Sequence, residues 1–141
     1  MKVSDILQTK GSNIYSVTSE ISVYDALKIM GEKNIGALLV MDDFQLTGIF
    51  SERDYARKVI LKGKMSKETP VKEIMTEQVI TVTPEDTIEN CMELMSQNHI
   101  RHLPVIKDDK VTGMISIGDV VNSIIAAQKE TIAHLQQYIS Q

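Results

Sequence analysis

Two short strings place a serine and an aspartate three residues apart, directly after an apolar segment. Residues 48–54 read Gly-Ile-Phe-Ser-Glu-Arg-Asp, and residues 113–119 read Gly-Met-Ile-Ser-Ile-Gly-Asp. If a strand gives way to a helix at each serine, free backbone N–H groups and the positive end of the helix dipole can receive a phosphate. A carboxylate three residues on can accept two hydrogen bonds from a vicinal diol such as ribose. The pattern suits a nucleoside phosphate, bound by Ser51, Asp54, Ser116 and Asp119.

The same residues also have a purely structural interpretation. Serine at the N-cap with aspartate at N3 satisfies backbone donors and stabilises a helix start by about 1 kcal/mol without any ligand. Recurrence of the string proves only that a unit was duplicated. The spacing by itself therefore leaves ligand binding and helix capping both open.

The other reactive side chains do not form a pattern typical of catalysis or metal binding. His99 and His102 lie close in sequence, but no Cys, Asp or Glu joins them at ligand spacing. Ser116, Asp119 and His102 lack a nucleophile elbow, so no catalytic triad is predicted. Cys91 lies on an apolar helical stripe and is predicted to be a core residue. The sequence predicts no enzyme, no metal site and no catalytic cofactor.

The pattern around the two strings extends over most of the chain. Ile14 corresponds to Val79 at an offset of 65 residues, whereas Val3 corresponds to Val71 at an offset of 68. Such a repeat indicates one supersecondary unit used twice. Each copy has the pattern β-α-β-β-α, a layer that buries only one face by itself. We therefore predict an α/β (α+β) fold of two repeats with pseudo-two-fold symmetry, which share a core, plus a C-terminal helix.

Hydrophobic periodicity predicts the elements of each copy. Helices are predicted after Ser22 and Thr87, and Gly31 is predicted to end the first of them. Short β-branched segments precede them at 14–17 and 79–82. Hairpins are predicted from strands 36–41 with 46–50 and 103–106 with 111–115, followed by helices over 54–61 and 119–128. The predicted domains are repeat one at 1–61, a linker at 62–70, repeat two at 71–125 and a helical tail at 126–141.

Composition and charge limit the classes of partner. The net charge of −4 argues against non-specific nucleic-acid binding, and no apolar run is long enough to predict a membrane span. Basic residues cluster between 53 and 67. The cluster is either a solvated helix face and loop, or a source of positive potential that attracts small anions such as phosphates. The N-terminus has no secretory signal pattern and the single cysteine cannot form an internal disulfide, so a cytoplasmic location is predicted.

With these strings and their order, the chain resembles the cystathionine-β-synthase (CBS) domain pair, also called a Bateman module. The resemblance covers nearly all of residues 1–125. It is carried by Ile-Met-Thr at 74–76, Thr-Val-Thr-Pro at 81–84, His-Ile-Arg-His-Leu-Pro-Val at 99–105 and the two Gly-x-x-Ser-x-x-Asp strings. Each motif is weak alone, but together and in this order they are highly specific. The resemblance implies a stand-alone regulatory or signalling module rather than an enzyme.

The resemblance also implies a ligand. In CBS pairs a cleft between the repeats often binds an adenosine-containing molecule such as AMP, ADP, ATP, NAD(H) or S-adenosylmethionine, which implies an energy or redox sensor. The aspartates would hold ribose, the serines would lie near phosphate, and the β-branched segments would contact adenine. The ligand-binding residues implied by position are Ser51, Arg53, Asp54, Ser116, Asp119, Arg101, His102, Ile14, Tyr15, Val79, Ile80 and Thr76.

The copies are not equivalent, and the assembly is open. Arg53 has Gly118 as its counterpart, so the sequence favours Asp54 as the stronger nucleotide contact. The resemblance implies a homodimer and an unknown protein target. A stripe of Ile125, Gln128, Ile132, Leu135 and Ile139 either supports that dimer or packs on its own domain. The alternative function is a structural interaction module whose serine and aspartate pairs only cap helices.

Overall fold

Two β-hairpins and the helices beside them make up the structure, a computed structural model that describes residues 1–140. In chain order the elements are α1 (Val3–Lys10), β1 (Ser16–Val17), α2 (Val23–Lys33), β2 (Ala37–Asp42), β3 (Gln45–Ser51), α3 (Glu52–Asp54) continued by a π-helical turn (Tyr55–Ile60), a 3-10 turn (Val71–Glu73), α4 (Ile88–Asn98), β4 (His102–Lys107), β5 (Lys110–Ser116) and α5 (Ile117–Ser140). The predicted mixed α/β class with a C-terminal helix is confirmed.

Both predicted hairpins are present. β2 pairs with β3 and β4 pairs with β5, each antiparallel, and each turns through two residues with positive φ. These residues are Asp43 and Phe44 in the first turn and Asp108 and Asp109 in the second. Positive φ at both central positions matches the right-handed twist of the strands, as in type I′ turns. The two hairpins therefore end in turns of the same backbone type.

The two β-branched segments before the helices differ from each other. β1 pairs in parallel with β2 and completes a three-stranded sheet. In the second copy, the predicted strand at 79–82 is absent, and only Val82 makes an isolated parallel bridge, to Val105. That part of the prediction is wrong in extent, because pairing is limited to Val82, whose amide donates to the Pro104 carbonyl at 3.0 Å and whose carbonyl accepts from the Ile106 amide at 2.8 Å.

Helix starts follow the sequence better than helix ends. The Asp25 amide donates to Ser22 Oγ at 3.1 Å, and the Asn90 amide donates to Thr87 Oγ1 at 3.1 Å, so both predicted N-caps are confirmed. The predicted end at Gly31 is wrong, because α2 continues to Lys33 and stops at Asn34, whose φ is 55°. Asparagine tolerates this left-handed conformation, which closes the helix where glycine was expected to.

The helices after the hairpins differ most from their prediction. In the first copy the helix begins at Glu52 and is mainly π-helical. In the second copy α5 runs unbroken for 24 residues as far as Ser140, so the helix predicted over 119–128 and the predicted helical tail form one continuous helix. Every residue from 128 to 140 is exposed, so this part of the tail does not pack on its own domain. Gln141, the last residue of the predicted tail, lies outside the described residues.

Spatial packing groups the chain into two compact units. The central unit is Ile14–Ile80, and the terminal unit consists of Met1–Asn13 with the chain from Thr81 onward. The segment that opens each sequence repeat thus packs with the hairpin of the other repeat. The repeat boundaries remain a prediction about sequence, whereas the units describe which residues pack together.

A glycine in each hairpin makes this exchange sterically possible. A Cβ on Gly48 would lie 2.6 Å from Met75 Sδ and 3.0 Å from the Thr76 carbonyl oxygen. A Cβ on Gly113 would lie 2.8 Å from Leu7 Cδ2. Glycine matters most at position 48, where a Cβ would press on the backbone of the exchanged segment, whereas at position 113 the end of the Leu7 side chain would have to shift.

Each unit has its own aliphatic core. In the central unit β2 is fully buried from Ala37 to Val40, as its unbroken apolar run predicts, and Phe50 packs with it. In the terminal unit Val3 and Ile6 of α1 are buried, as are Leu103 and Ile115 of the hairpin. Each core therefore fixes the strand end from which the serine and aspartate of its string follow.

Candidate functional site

The Ser51–Asp54 junction lies in the central unit, where β3 passes directly into α3. The Ser51 amide donates to Asp54 Oδ2 at 3.0 Å, and the Asp54 amide donates to Ser51 Oγ at 3.3 Å. The other carboxylate oxygen, Asp54 Oδ1, accepts from Thr76 Oγ1 at 3.2 Å and pairs with Lys58 Nζ at 3.0 Å. Both oxygens of this buried carboxylate are therefore engaged by protein groups.

The Ser116–Asp119 junction is built in the same way in the terminal unit. The Ser116 amide donates to Asp119 Oδ2 at 2.8 Å, and the Asp119 amide donates to Ser116 Oγ at 3.2 Å. The cation here comes from another element, since Lys10 at the end of α1 donates to Asp119 Oδ2 at 2.7 Å. No hydrogen bond from residues 1–140 reaches Asp119 Oδ1. This junction thus keeps one carboxylate oxygen available.

Both junctions are complete capping arrangements, as the structural interpretation of the strings predicts. Each serine accepts from the amide three residues on, and each aspartate accepts from the serine's own amide. This reciprocal bonding stabilises the helix starts without any ligand. Capping is therefore established, and any ligand would bind to a carboxylate that is already held in place.

The environment of the second junction lowers the pKa values of both Asp119 and His102, for different reasons. Burial opposes ionisation of Asp119, but the hydrogen bonds from Lys10 and the Ser116 amide outweigh it and lower the pKa of the carboxyl. The pKa of His102 is also lowered, first by burial and then by the charge of Lys10, with Arg101 adding to the effect against the attraction of Asp119. At neutral pH the site therefore contains an ionised Asp119 and an uncharged imidazole.

The predicted ligand-binding residues divide between the two units. The terminal unit contains Arg101, His102, Ser116 and Asp119. His102 lies opposite Ser116 in the β4–β5 hairpin, and the Ser116 amide donates to Asp119. The central unit contains the other eight, Ile14, Tyr15, Ser51, Arg53, Asp54, Thr76, Val79 and Ile80. Among these, Thr76 contacts Asp54 directly.

The segments predicted to contact adenine both lie in the central unit. The Tyr15 carbonyl accepts from the Leu39 amide at 3.2 Å, so this segment is held along β2. Ile14 is exposed and Tyr15 is half-buried, as are Val79 and Ile80. These side chains are accessible, and their role in binding stays a prediction.

Two lysines at the junctions were not predicted. Lys58 lies four residues after Asp54, and this helical spacing of opposite charges could have identified it from sequence. Lys10 offered no such signal, because 109 residues separate it from Asp119. Only the packing of α1 in the terminal unit brings it to the junction.

A cavity in the central unit lies beside the first junction. It has a volume of about 310 Å³ and is lined by Leu27, Met30, Gly31, Asn34, Ile35, Gly36 and Glu52. None of these residues belongs to the predicted ligand set. In the described part of the chain, no three His, Cys, Asp or Glu residues group as a metal site requires, and no helix is long and apolar enough to cross a membrane.

Comparison with known proteins agrees with the repeat, the two small sheets and the junctions. The CBS domain pattern matches residues 3–61 and 71–126. A CBS domain-containing protein of Arabidopsis thaliana, CBSX3, mitochondrial, is 44% identical over 146 residues, which cover 97% of this chain and 71% of that protein. A putative signal-transduction protein with CBS domains from Burkholderia ambifaria has a solved structure with a TM-score of 0.88 and 51% identity, covering 91% of this chain and 96% of that one.

A further solved structure contains bound ligands. The CBS domain pair of protein MJ0100, in complex with 5′-methylthioadenosine and S-adenosyl-L-methionine, matches with a TM-score of 0.80 and 29% identity over 90% of this chain and 98% of that one. The family match extends over both copies of the repeat and includes both Ser-x-x-Asp junctions. This chain therefore belongs to the CBS domain family.

Proposed function

We propose that this protein is a regulatory module that binds an adenosine-containing nucleotide, AMP, ADP, ATP or NAD(H), at its serine–aspartate junctions. The observation that carries the proposal is the Ser116–Asp119 junction. There an ionised carboxylate is held by Ser116 and Lys10 and keeps Oδ1 available for a ribose hydroxyl. The adenosine-type ligands in the related MJ0100 structure support the same ligand class. Binding at this position would link the occupancy of the site to the helix start it caps.

A regulatory role requires the ligand to favour one state of the protein over another. The proposed output is a change in the contacts of the module with a second copy or with a protein target. The long exposed part of α5 is the surface through which we expect a homodimer to form, because Ile132, Leu135 and Ile139 are all more than half exposed there. An apolar stripe of this length is more stable when another surface covers it.

Enzymatic activity is not part of the proposal. Ser116 Oγ accepts from the Asp119 amide, and Asp119 faces Lys10 and the Ser116 amide. These bonds are those of a helix cap, not those of a nucleophile activated by a base. A cytoplasmic location is also part of the proposal, resting on the single, buried cysteine; imaging of a tagged copy tests it, since one relative is named as mitochondrial.

The alternative is a structural interaction module with vestigial sites. It is favoured by the Ser51–Asp54 junction, whose carboxylate is fully engaged by Ser51, Thr76 and Lys58. Thermal-shift screening followed by calorimetric titration with AMP, ADP, ATP, NAD, NADH and S-adenosylmethionine separates the two functions. Saturable binding of at least one nucleotide supports the sensor. Absence of binding by all six supports the interaction module.

A further inference from the structure

Lys10 brings a positive charge to the Ser116–Asp119 junction from the end of α1. Its Nζ donates to Asp119 Oδ2 at 2.7 Å and to the Met114 carbonyl at 2.8 Å. An ammonium has three N–H donors, so one remains for a further acceptor. The Lys10 side chain is 37% exposed, so that acceptor can arrive from solvent.

The groups around this ammonium give the junction a cationic character. Arg101 directly precedes β4 and is exposed, and its charge acts with that of Lys10 on His102. Lys10 therefore stands beside the carboxylate of Asp119, and Arg101 adds a second positive charge near the neighbouring His102. Such an arrangement suits a ligand that carries a diol and an anionic group together.

The available oxygen of Asp119 lets both groups bind at once. Lys10 and the Ser116 amide both donate to Oδ2, which leaves Oδ1 for a ribose hydroxyl without displacing the lysine. A phosphate on that ribose could then accept the third N–H of Lys10. A neutral nucleoside could use Oδ1 equally well but would gain nothing from the ammonium.

The other junction does not offer this combination. Asp54 is 8% exposed, and its Oδ1 is already occupied by Thr76 and Lys58. A ribose would have to displace one of these partners before it could bind. The sequence favours Asp54 as the stronger nucleotide contact because of Arg53, whereas the contacts of the two carboxylates favour Asp119.

From this geometry we propose that Lys10 is a specificity-determining residue that makes the Ser116–Asp119 junction select phosphorylated nucleotides over neutral nucleosides. The inference rests on the proposed function and deepens it, because it assigns recognition of the ligand's negative charge to Lys10, a residue outside both strings. It also gives the packing of α1 in the terminal unit a role in binding.

The test is calorimetric titration of the full chain with AMP and with adenosine, for the wild type, Lys10→Met and Lys2→Met. Lys2 is the matched control, since it flanks the other end of α1 and pairs with Glu85 at 2.8 Å with both side chains more than half exposed. Lys10→Met is expected to weaken AMP binding by about tenfold or more, because a charge-assisted hydrogen bond is lost. The affinity for adenosine should change by less than about twofold, because adenosine has no phosphate to accept a hydrogen bond from Lys10. Lys2→Met should change neither.

The ratio of the AMP and adenosine affinities separates specificity from folding, because a loss of fold would weaken both ligands together. Lys10→Arg keeps the charge and should keep a preference for AMP. An unchanged ratio in Lys10→Met, with AMP still bound by the wild type, would overturn the role of Lys10 and leave the proposed function standing. A wild type that binds none of the six ligands of the screen would overturn both.

Discussion

The two aspartates are expected to differ in how much they stabilise the fold, and alanine variants of each measure the difference. Asp54 has a side chain that is 10% exposed, accepts hydrogen bonds from Ser51 and Thr76, and forms an ion pair with Lys58. Asp119 has a side chain that is 22% exposed and uses only one oxygen. Removing the first carboxylate leaves more polar partners without an acceptor.

The magnitudes follow from the bonds that are lost. A helix-cap contact contributes about 0.5–2 kcal/mol, and a hydrogen bond to a charged group contributes about 1.5–3 kcal/mol. Asp54→Ala loses both the cap contact and the bonds to Thr76 and Lys58, and we expect it to lower the free energy of unfolding by about 2–4 kcal/mol. For Asp119→Ala we expect about 1–2 kcal/mol, because its lysine partner can return to water.

Urea unfolding of wild type and both variants at pH 7, followed by circular dichroism, measures these losses. Melting temperatures should follow the same order, with about 3–4 °C for each kcal/mol in a chain of this size. The loss of affinity for AMP should have the opposite order, so that Asp119→Ala binds AMP more weakly than Asp54→Ala does. If Asp119→Ala unfolds at the same or a lower urea midpoint than Asp54→Ala, the reasoning from carboxylate contacts is wrong.

Three other predictions address packing, protonation and assembly. Gly48→Ala should lower the free energy of unfolding by about 1–3 kcal/mol, since its Cβ would lie 3.0 Å from the Thr76 carbonyl oxygen; an unchanged urea midpoint would contradict the close approach. The pKa of His102 is lower in the folded protein than in the unfolded chain because of burial and Lys10. As pH falls below about 6.5 the imidazole is therefore protonated more readily in the unfolded chain, and the free energy of unfolding declines. The urea midpoints of His102→Asn at pH 7 and 5.5 should differ less than those of wild type. Ile132→Asp should shift the molecule toward monomer in light scattering, with Glu130→Asp as the control; a dimer that survives would remove α5 from the interface.

Local sequence determined the parts of this protein whose hydrogen bonds close within a few residues. The Ser22 cap, the two hairpins and both serine–aspartate junctions could be predicted because each depends on bonds between near neighbours. The family could be predicted for a related reason, since the order of these local motifs is repeated along the chain. Hydrophobic periodicity likewise identified the buried strand β2.

Tertiary structure decided what depends on distant partners. No local rule indicated that α1 packs beside Gly113, or that Met75 packs beside Gly48, because these contacts require two segments to fill a space left by a missing side chain. The pairing of Lys10 with Asp119 spans 109 residues and exists only because α1 ends at that junction. The sequence therefore specified two similar junctions, and their packing made them chemically different.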